Sequence, residues 1–259
     1  MTPRAGSEQP VSRRTAPRVS VVLPARNDAA ALRRTLDHLV RLPGADTADI
    51  VVAASGDSEG TARAVAGRAR LLWPGGSTRA ELMNAGAASA RGEVLFFLHA
   101  DSFPPADALG RIEDALRDPR AVGGAFEHRF AEPHPSLRAV TWINRIRYRL
   151  TRNWYGDQGI FVRAAVFRAL GGYRNLRVLE DLDFTRRLKR RGRGVLIREP
   201  LLTSGRRFLA RGPWRTFGFC AWLVLLYTLG LDTERYAERW RGPAEAPPGT
   251  PWQAREAAP

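Results

Sequence analysis

The chain has 259 residues, 44% of them hydrophobic, and a formal charge of +15, enough apolar material for one substantial core and too much for a peptide-sized fold. Lys189 is the only lysine among 41 basic residues, and Arg33, Arg68, Arg91, Arg111 and Arg168 are scattered, with clusters only at 186–193 and 206–215. That pattern argues against a nucleic-acid partner and leaves phosphates or anionic lipid headgroups for the clusters. Cys220 stands alone, which excludes an intrachain disulfide and a cysteine-rich zinc site.

Residues 1–17 carry Pro3, Pro10 and Pro17 without an apolar core and read as a disordered lead-in rather than a secretory signal. Val-Ser-Val-Val-Leu from Val19 to Pro24 reads as a strand, and 29–41 places Leu32, Leu36, Leu39 and Val40 at helical spacing. A second such unit joins a strand over 50–53 to a helix over 59–70, with Ser55, Gly56, Asp57 and Ser58 as turn and cap residues. A helix over 79–90 precedes a buried strand over 94–98. Further on, the pattern predicts a strand over 121–130, a basic helix over 137–150, a short strand over 160–162 and a helix over 182–191.

This alternation predicts an α/β fold with a Rossmann-like, mostly parallel sheet flanked by helices, whose ligands bind at the carboxyl ends of the strands. The apolar run 217–231 is about fifteen residues long, shorter than the roughly twenty needed to cross a bilayer. With Trp214, Phe217, Phe219, Trp222 and Tyr227 it predicts an amphipathic helix over 208–231, packed on the core or on a membrane surface. Pro and Ala dominate 232–259, which reads as a loose tail.

The strand over 94–98 delivers His99 and Asp101 to one side of its end. A carboxylate there can hold a divalent cation bridging two phosphates, and a histidine can ligate a metal or hydrogen-bond a ribose. The alternative is a pair that caps the next turn. Glu180 and Asp181 stand before the helix over 182–191, as a general base with its neighbour or as an N-terminal cap pair. Gly156-Asp157-Gln158-Gly159 serves either a tight turn or sugar hydroxyls. Arg79 and Asn84 share one side of a helix, where a guanidinium can pair with diphosphate oxygens or face solvent.

Five blocks now stand in order across 19–207: Val-Ser-Val-Val-Leu-Pro-Ala-Arg-Asn-Asp from Val19, Met83-Asn84-Ala85-Gly86-Ala87, Phe97-Leu98-His99-Ala100-Asp101, Gly156-Asp157-Gln158-Gly159-Ile160-Phe161-Val162-Arg163, and Leu179-Glu180-Asp181. Together they resemble family-2 glycosyltransferases of the GT-A type. His99-Ala100-Asp101, where most members have Asp-x-Asp, is similar to one bacterial branch.

The resemblance implies a GT-A domain over 18–207 that moves a sugar from a nucleotide-sugar to a hydroxyl acceptor, with inversion and with Mn2+ or Mg2+. It gives Asp101 the metal and diphosphate, with His99 beside it at the metal or ribose. Pro24, Arg26 and Asp28 would cradle the nucleotide, Arg79 and Asn84 line the donor pocket, and Arg206 meet the diphosphate. Asp157 and Gln158 would bind the acceptor, and Glu180 and Asp181 form the acidic pair, with Asp181 as base. Arg206-Arg207-Phe208 lacks the full aromatic pattern of processive polysaccharide synthases, which implies single additions.

Two positions depart from the pattern. Ala54 stands where the family usually has an aspartate on the nucleotide base, leaving Asp57 as the substitute, and Glu81 stands where close relatives carry arginine. Two other classes remain open: a sugar-phosphate nucleotidyltransferase, and a basic membrane- or nucleic-acid-binding protein with a decayed site. The expected location is the cytoplasm, at the inner face of the cell membrane if the aromatic helix meets lipid and the acceptor is lipid-linked.

Overall fold

In a strand buried on both faces, successive side chains feed two different cores. Val19, Val21, Leu23 and Ala25 of strand β1 (Val19–Arg26) enter one apolar cluster and Val22 the other. The computed structural model describes residues 18–241. The predicted lead-in 1–17 and the predicted tail beyond residue 241 lie outside the described residues.

After β1 come α1 (Ala29–Leu39), β2 (Asp49–Ser55), α2 (Ser58–Val65), β3 (Arg70–Leu72), α3 (Arg79–Ser89) and β4 (Val94–Phe97). β5 (Ser102–Phe103), α4 (Ala108–Ala115), β6 (Ala121–Phe130) and α5 (Pro135–Thr151) follow. A 3-10 turn at Gly156–Gln158 leads into β7 (Ile160–Arg163), α6 (Ala164–Ala169), α7 (Glu180–Leu188) and β8 (Arg193–Thr203). The described chain ends with α8 (Arg206–Arg211), α9 (Pro213–Thr228), a 3-10 turn at Glu234–Tyr236, and α10 (Ala237–Arg241).

These form one eight-stranded sheet in the order β3-β2-β1-β4-β7-β6-β8-β5. β3, β2, β1 and β4 run parallel, β6 pairs in parallel with β8, and β7 runs antiparallel between β4 and β6. One face of the sheet packs Leu32, Leu36 and Leu39 of α1 with Leu109 and Ile112 of α4. The other packs Met83 of α3, Tyr148 of α5, Phe167 of α6 and Phe184 of α7. The sheet thus holds the ends of β1 and β4 side by side, with Val22 opposite Phe97.

Several boundaries differ from the sequence reading. The helix predicted to 70 stops at Val65, because Ala66 takes a left-handed φ of 35° and Gly67 follows at 79°; residues 70–72 then add a strand. β8 was not predicted, and its register against β6 jumps from Ile197 to Pro200, so that Arg198 and Glu199 bulge out. The single predicted helix over 208–231 is two helices, broken at Gly212, whose φ of 85° favours glycine. Residues 232–241 are not loose: Glu234 accepts the Arg177 N–H at 3.0 Å, and Phe219 packs on Tyr236 and Trp240. No helix among the described residues is long and apolar enough to cross a membrane.

Candidate active site

The carboxyl ends of β1 and β4, the Gly156–Gln158 turn, the start of α7 and the pair α8–α9 enclose a cavity of about 520 Å³. Two acidic pairs stand at it, and of their four carboxylates Asp28, Asp101 and Asp181 line it.

The first pair sits at strand ends. Asp28 caps α1, its Oδ1 accepting the Ala31 N–H at 3.2 Å, while its Oδ2 takes an ion pair from Arg206 Nη2. The same Nη2 stands 3.9 Å from Asp101 Oδ2. Burial raises the Asp101 carboxyl above its ordinary pKa, Arg206 opposes that, and neighbouring Asp28 adds to it.

The second pair opens α7. Leu179, just before it, holds a φ of 62°, a left-handed conformation that costs a branched residue about 1–3 kcal/mol and is tolerated where the surroundings hold it. Glu180 is buried and takes an ion pair from Arg79 Nε. Asp181 Oδ2 accepts the Gly156 N–H at 2.6 Å, its Oδ1 accepts the Leu182 N–H at 2.7 Å, and Arg79 Nη2 stands 3.7 Å away. Burial, then the charge of Glu180, push the Asp181 carboxyl up to about 6 against the pull of Arg79.

Arg79 also meets His99, with Nη1 at 2.9 Å from Nε2. A guanidinium can only donate, so Nε2 accepts and the imidazole proton lies on Nδ1. Burial and the adjacent Arg79 charge hold the His99 pKa well below its usual value, so the ring is neutral. Gly156 fits here because a Cβ would press into His99 Nε2.

Arg207 lines the cavity next to this machinery. Its guanidinium lies 5.3 Å from the Trp240 ring and has no hydrogen bond or ion pair among the described residues. Burial lowers its pKa; Asp101 opposes this, while Arg79, Arg211 and Arg206 press it down further. A desolvated cation among other arginines, with no acceptor of its own, has its donors available to an anion.

Part of the wall is apolar, with Phe208, Phe217, Cys220, Val224 and Trp240 among its lining residues. Asp157 also lines the cavity, with His128 Nε2 at 3.7 Å, and His128 Nε2 lies 2.7 Å from Thr203 Oγ1. Arg147 stacks over the Tyr155 ring at 3.9 Å. Burial raises the Cys220 thiol to about 12, so it stays protonated.

Residues 20–170, more than half of the chain, match the family described as Glycosyl transferase family 2. The chain belongs to this family. No curated protein matches the sequence. Among solved structures it is similar to a mannosyltransferase from Pyrobaculum calidifontis in complex with GDP-Man and Mn2+, at 20% identity and a TM-score of 0.62, covering 94% of this chain and 70% of that one. It is also similar to glucosyl-3-phosphoglycerate synthase from Mycobacterium tuberculosis in complex with Mn2+, UDP and glucosyl-3-phosphoglycerate (16% identity, TM-score 0.57, covering 83% and 81%). Mannosyl-3-phosphoglycerate synthase from Rubrobacter xylanophilus follows (18%, 0.54, covering 85% and 77%). At these identities the likeness is one of fold, and the fold is GT-A.

In this glycosyltransferase Pro24, Arg26, Asp28, Arg79, His99, Asp101, Asp157, Asp181 and Arg206 all line the one cavity. Four other residues expected at the site do not. Asn84 clamps the backbone of Tyr173, donating to its carbonyl at 2.8 Å and accepting its N–H at 2.9 Å. Gln158 is buried and spends its amide on Phe126 O and the Tyr155 N–H. Glu180 is covered by Arg79. Asp57 caps α2 through the Gly60 N–H, and its own N–H goes to Asn27 Oδ1. In each case the side chain already serves a neighbouring backbone group or an ion pair.

The two departures also have structural roles. Ala54 is buried within the core beneath the sheet end. Glu81 completes a capping box with Thr78 and accepts Asn175 Nδ2 at 2.8 Å; the Thr78 and Ser77 N–H groups hold its carboxyl below the usual range. Arg207, Tyr155 and Arg147 were not singled out from sequence. For Arg207 the signal was present in its place directly after Arg206.

Proposed function

We propose that the protein transfers a single sugar, with inversion, from a nucleoside-diphosphate sugar to a hydroxyl group, with Asp181 as the base. The observation that carries this reading is the Asp181 carboxylate, held on the cavity wall by two backbone N–H groups and with its pKa near 6, a value suited to accepting a proton at neutral pH. As the acceptor oxygen attacks the anomeric carbon, its proton passes to Asp181. The bond from that carbon to the phosphate oxygen breaks, and the nucleoside diphosphate leaves with the electron pair. Attack from the side opposite the leaving group inverts the anomeric centre.

Arg207, which lacks an acceptor among the described residues, is best suited to the diphosphate; Arg206 is engaged by Asp28 and Asp101. Those two carboxylates already share one cation, and their oxygens on the cavity suit Mn2+ or Mg2+. Among the described residues no group of three or more His, Cys, Asp or Glu is placed to hold a metal, so a cation there would need ligands from the donor as well. His99 fits less well, because Arg79 takes its Nε2. A divalent cation bound there would neutralise charge on the departing diphosphate. The donors in the P. calidifontis and M. tuberculosis structures make GDP- and UDP-sugars the first to try. The apolar part of the wall suits an acceptor whose hydroxyl is attached to an apolar body, as in a lipid-linked acceptor.

The test is nucleoside diphosphate release from a panel of such donors with Mn2+ or Mg2+. Turnover that Asp101→Ala abolishes supports the reading. Release of pyrophosphate instead, or full turnover by Asp181→Asn, would overturn it.

A further inference from the structure

Two helices that line the cavity with one side expose apolar side chains on the other. α5 turns Leu137, Val140 and Tyr148 into the core and Asn144 and Arg147 to the cavity. Its opposite stripe, four residues apart along one face, is Trp142, Ile146 and Leu150, with Trp142 64% and Leu150 79% exposed. α9 packs against α5, buries Thr216, Leu223 and Leu226, and lines the cavity with Phe217, Cys220 and Val224. Trp214, Trp222, Leu225 and Leu229 lie on its outward face, each about half exposed or more. Phe219 is already taken by Tyr236 and Trp240.

The charge on these two helices has one sign, while the segment after α9 carries Asp232, Glu234 and Glu238, of which Glu234 and Glu238 are held by Arg177. Residues 135–152 and 206–231 contain nine arginines and no aspartate or glutamate. Glu127 offsets Arg145 and Arg149, and Asp28 pairs with Arg206. Arg138, Arg152 and Arg215 are exposed, and their side chains have no hydrogen bond or ion pair among the described residues. Exposed tryptophans flanked by unpaired arginines match the chemistry of a headgroup layer, where indole rings sit at the boundary and guanidinium groups meet phosphate. A second copy is a poorer occupant, because a two-fold contact would set each arginine-rich face against its own like.

We propose that the outward faces of α5 and α9 form a docking surface for an anionic lipid bilayer. The sequence pointed only to the C-terminal helix; the second stripe, on α5, comes from the tertiary structure. The surface backs onto the apolar wall of the cavity, so docking would hold that chamber at the lipid boundary.

The experiment is co-sedimentation of the full chain with vesicles of phosphatidylcholine, alone or with about one-third phosphatidylserine. Binding is expected to the anionic vesicles only, to fall as salt is raised, and to weaken about tenfold in the Trp142→Ser, Trp222→Ser double variant. Neither tryptophan lines the cavity, so nucleotide affinity and circular dichroism should match the parent, which reports that the variant folds. No binding to anionic vesicles, equal binding by the double variant, or a concentration-dependent dimer that those substitutions abolish would each overturn the proposal. Sedimentation needs no turnover, so its outcome is independent of the reaction proposed above.

Discussion

Asp28 with Asp101, and Glu180 with Asp181, are both acidic pairs met by one arginine, yet their surroundings differ. The first pair is about 30% exposed in its side chains, and Arg206 reaches it from a short helix on the rim. The second is nearly covered, with Glu180 at 2% and Asp181 at 10% exposure, and Arg79 belongs to α3 in the body of the fold. Carboxylates that keep part of their contact with water lose less when their cation leaves, whereas a fully buried carboxylate stripped of its partner is left as an uncompensated charge. The comparison therefore assigns an exchangeable role to the strand-end pair and a fixed one to the helix-start pair.

The largest expected effect tests the fixed pair directly. Asp181→Asn should lower kcat by about a thousandfold while nucleotide titration shows unchanged affinity; a matching loss of affinity would make Asp181 a binding residue instead. Next come the two arginines. Arg79→Met should cost about 3 kcal/mol in urea denaturation, because Glu180 stays buried without its partner. Arg206→Met should cost under about 1 kcal/mol. Equal losses would erase the distinction between the pairs.

The pH profile sharpens it further. Asp181 must be ionised to accept a proton, so kcat/KM should fall about tenfold per unit below pH about 6 and level off above it. Arg79 favours the ionised form, so in Arg79→Met the falling limb should move to higher pH. A limb that stays in place would mean the charge of Arg79 is not felt at Asp181. The smallest effect concerns a residue outside both pairs. Asn84→Ala removes two hydrogen bonds to Tyr173 and should cost about 1–2 kcal/mol with the donor KM unchanged.

The strands β1 and β4 were legible because they are buried on both faces and read as nearly continuous apolar runs. β8 was not, because Arg198, Glu199 and Pro200 interrupt its pattern where the strand bulges. Asp28, Asp101 and Asp181 were legible because each stands where a strand ends or a helix begins. Asn84 and Gln158 were misplaced because an amide in a motif looks the same whether it meets a ligand or a neighbouring backbone. Arg207 was passed over for Arg206, since two adjacent guanidinium groups cannot be told apart until their partners are known.

The sequence by itself determined where β1, β2, β4, β6 and β7 fall and the positions of the carboxylates, because periodicity and caps act over a few residues. Only the tertiary structure decided which arginine meets which carboxylate. Arg79 and Glu180 are 101 residues apart, and Asp28 and Arg206 are 178 apart. Such pairs exist only once the sheet has set β4 between β1 and β7 and folded α8 back over their ends, and no local pattern carries that information.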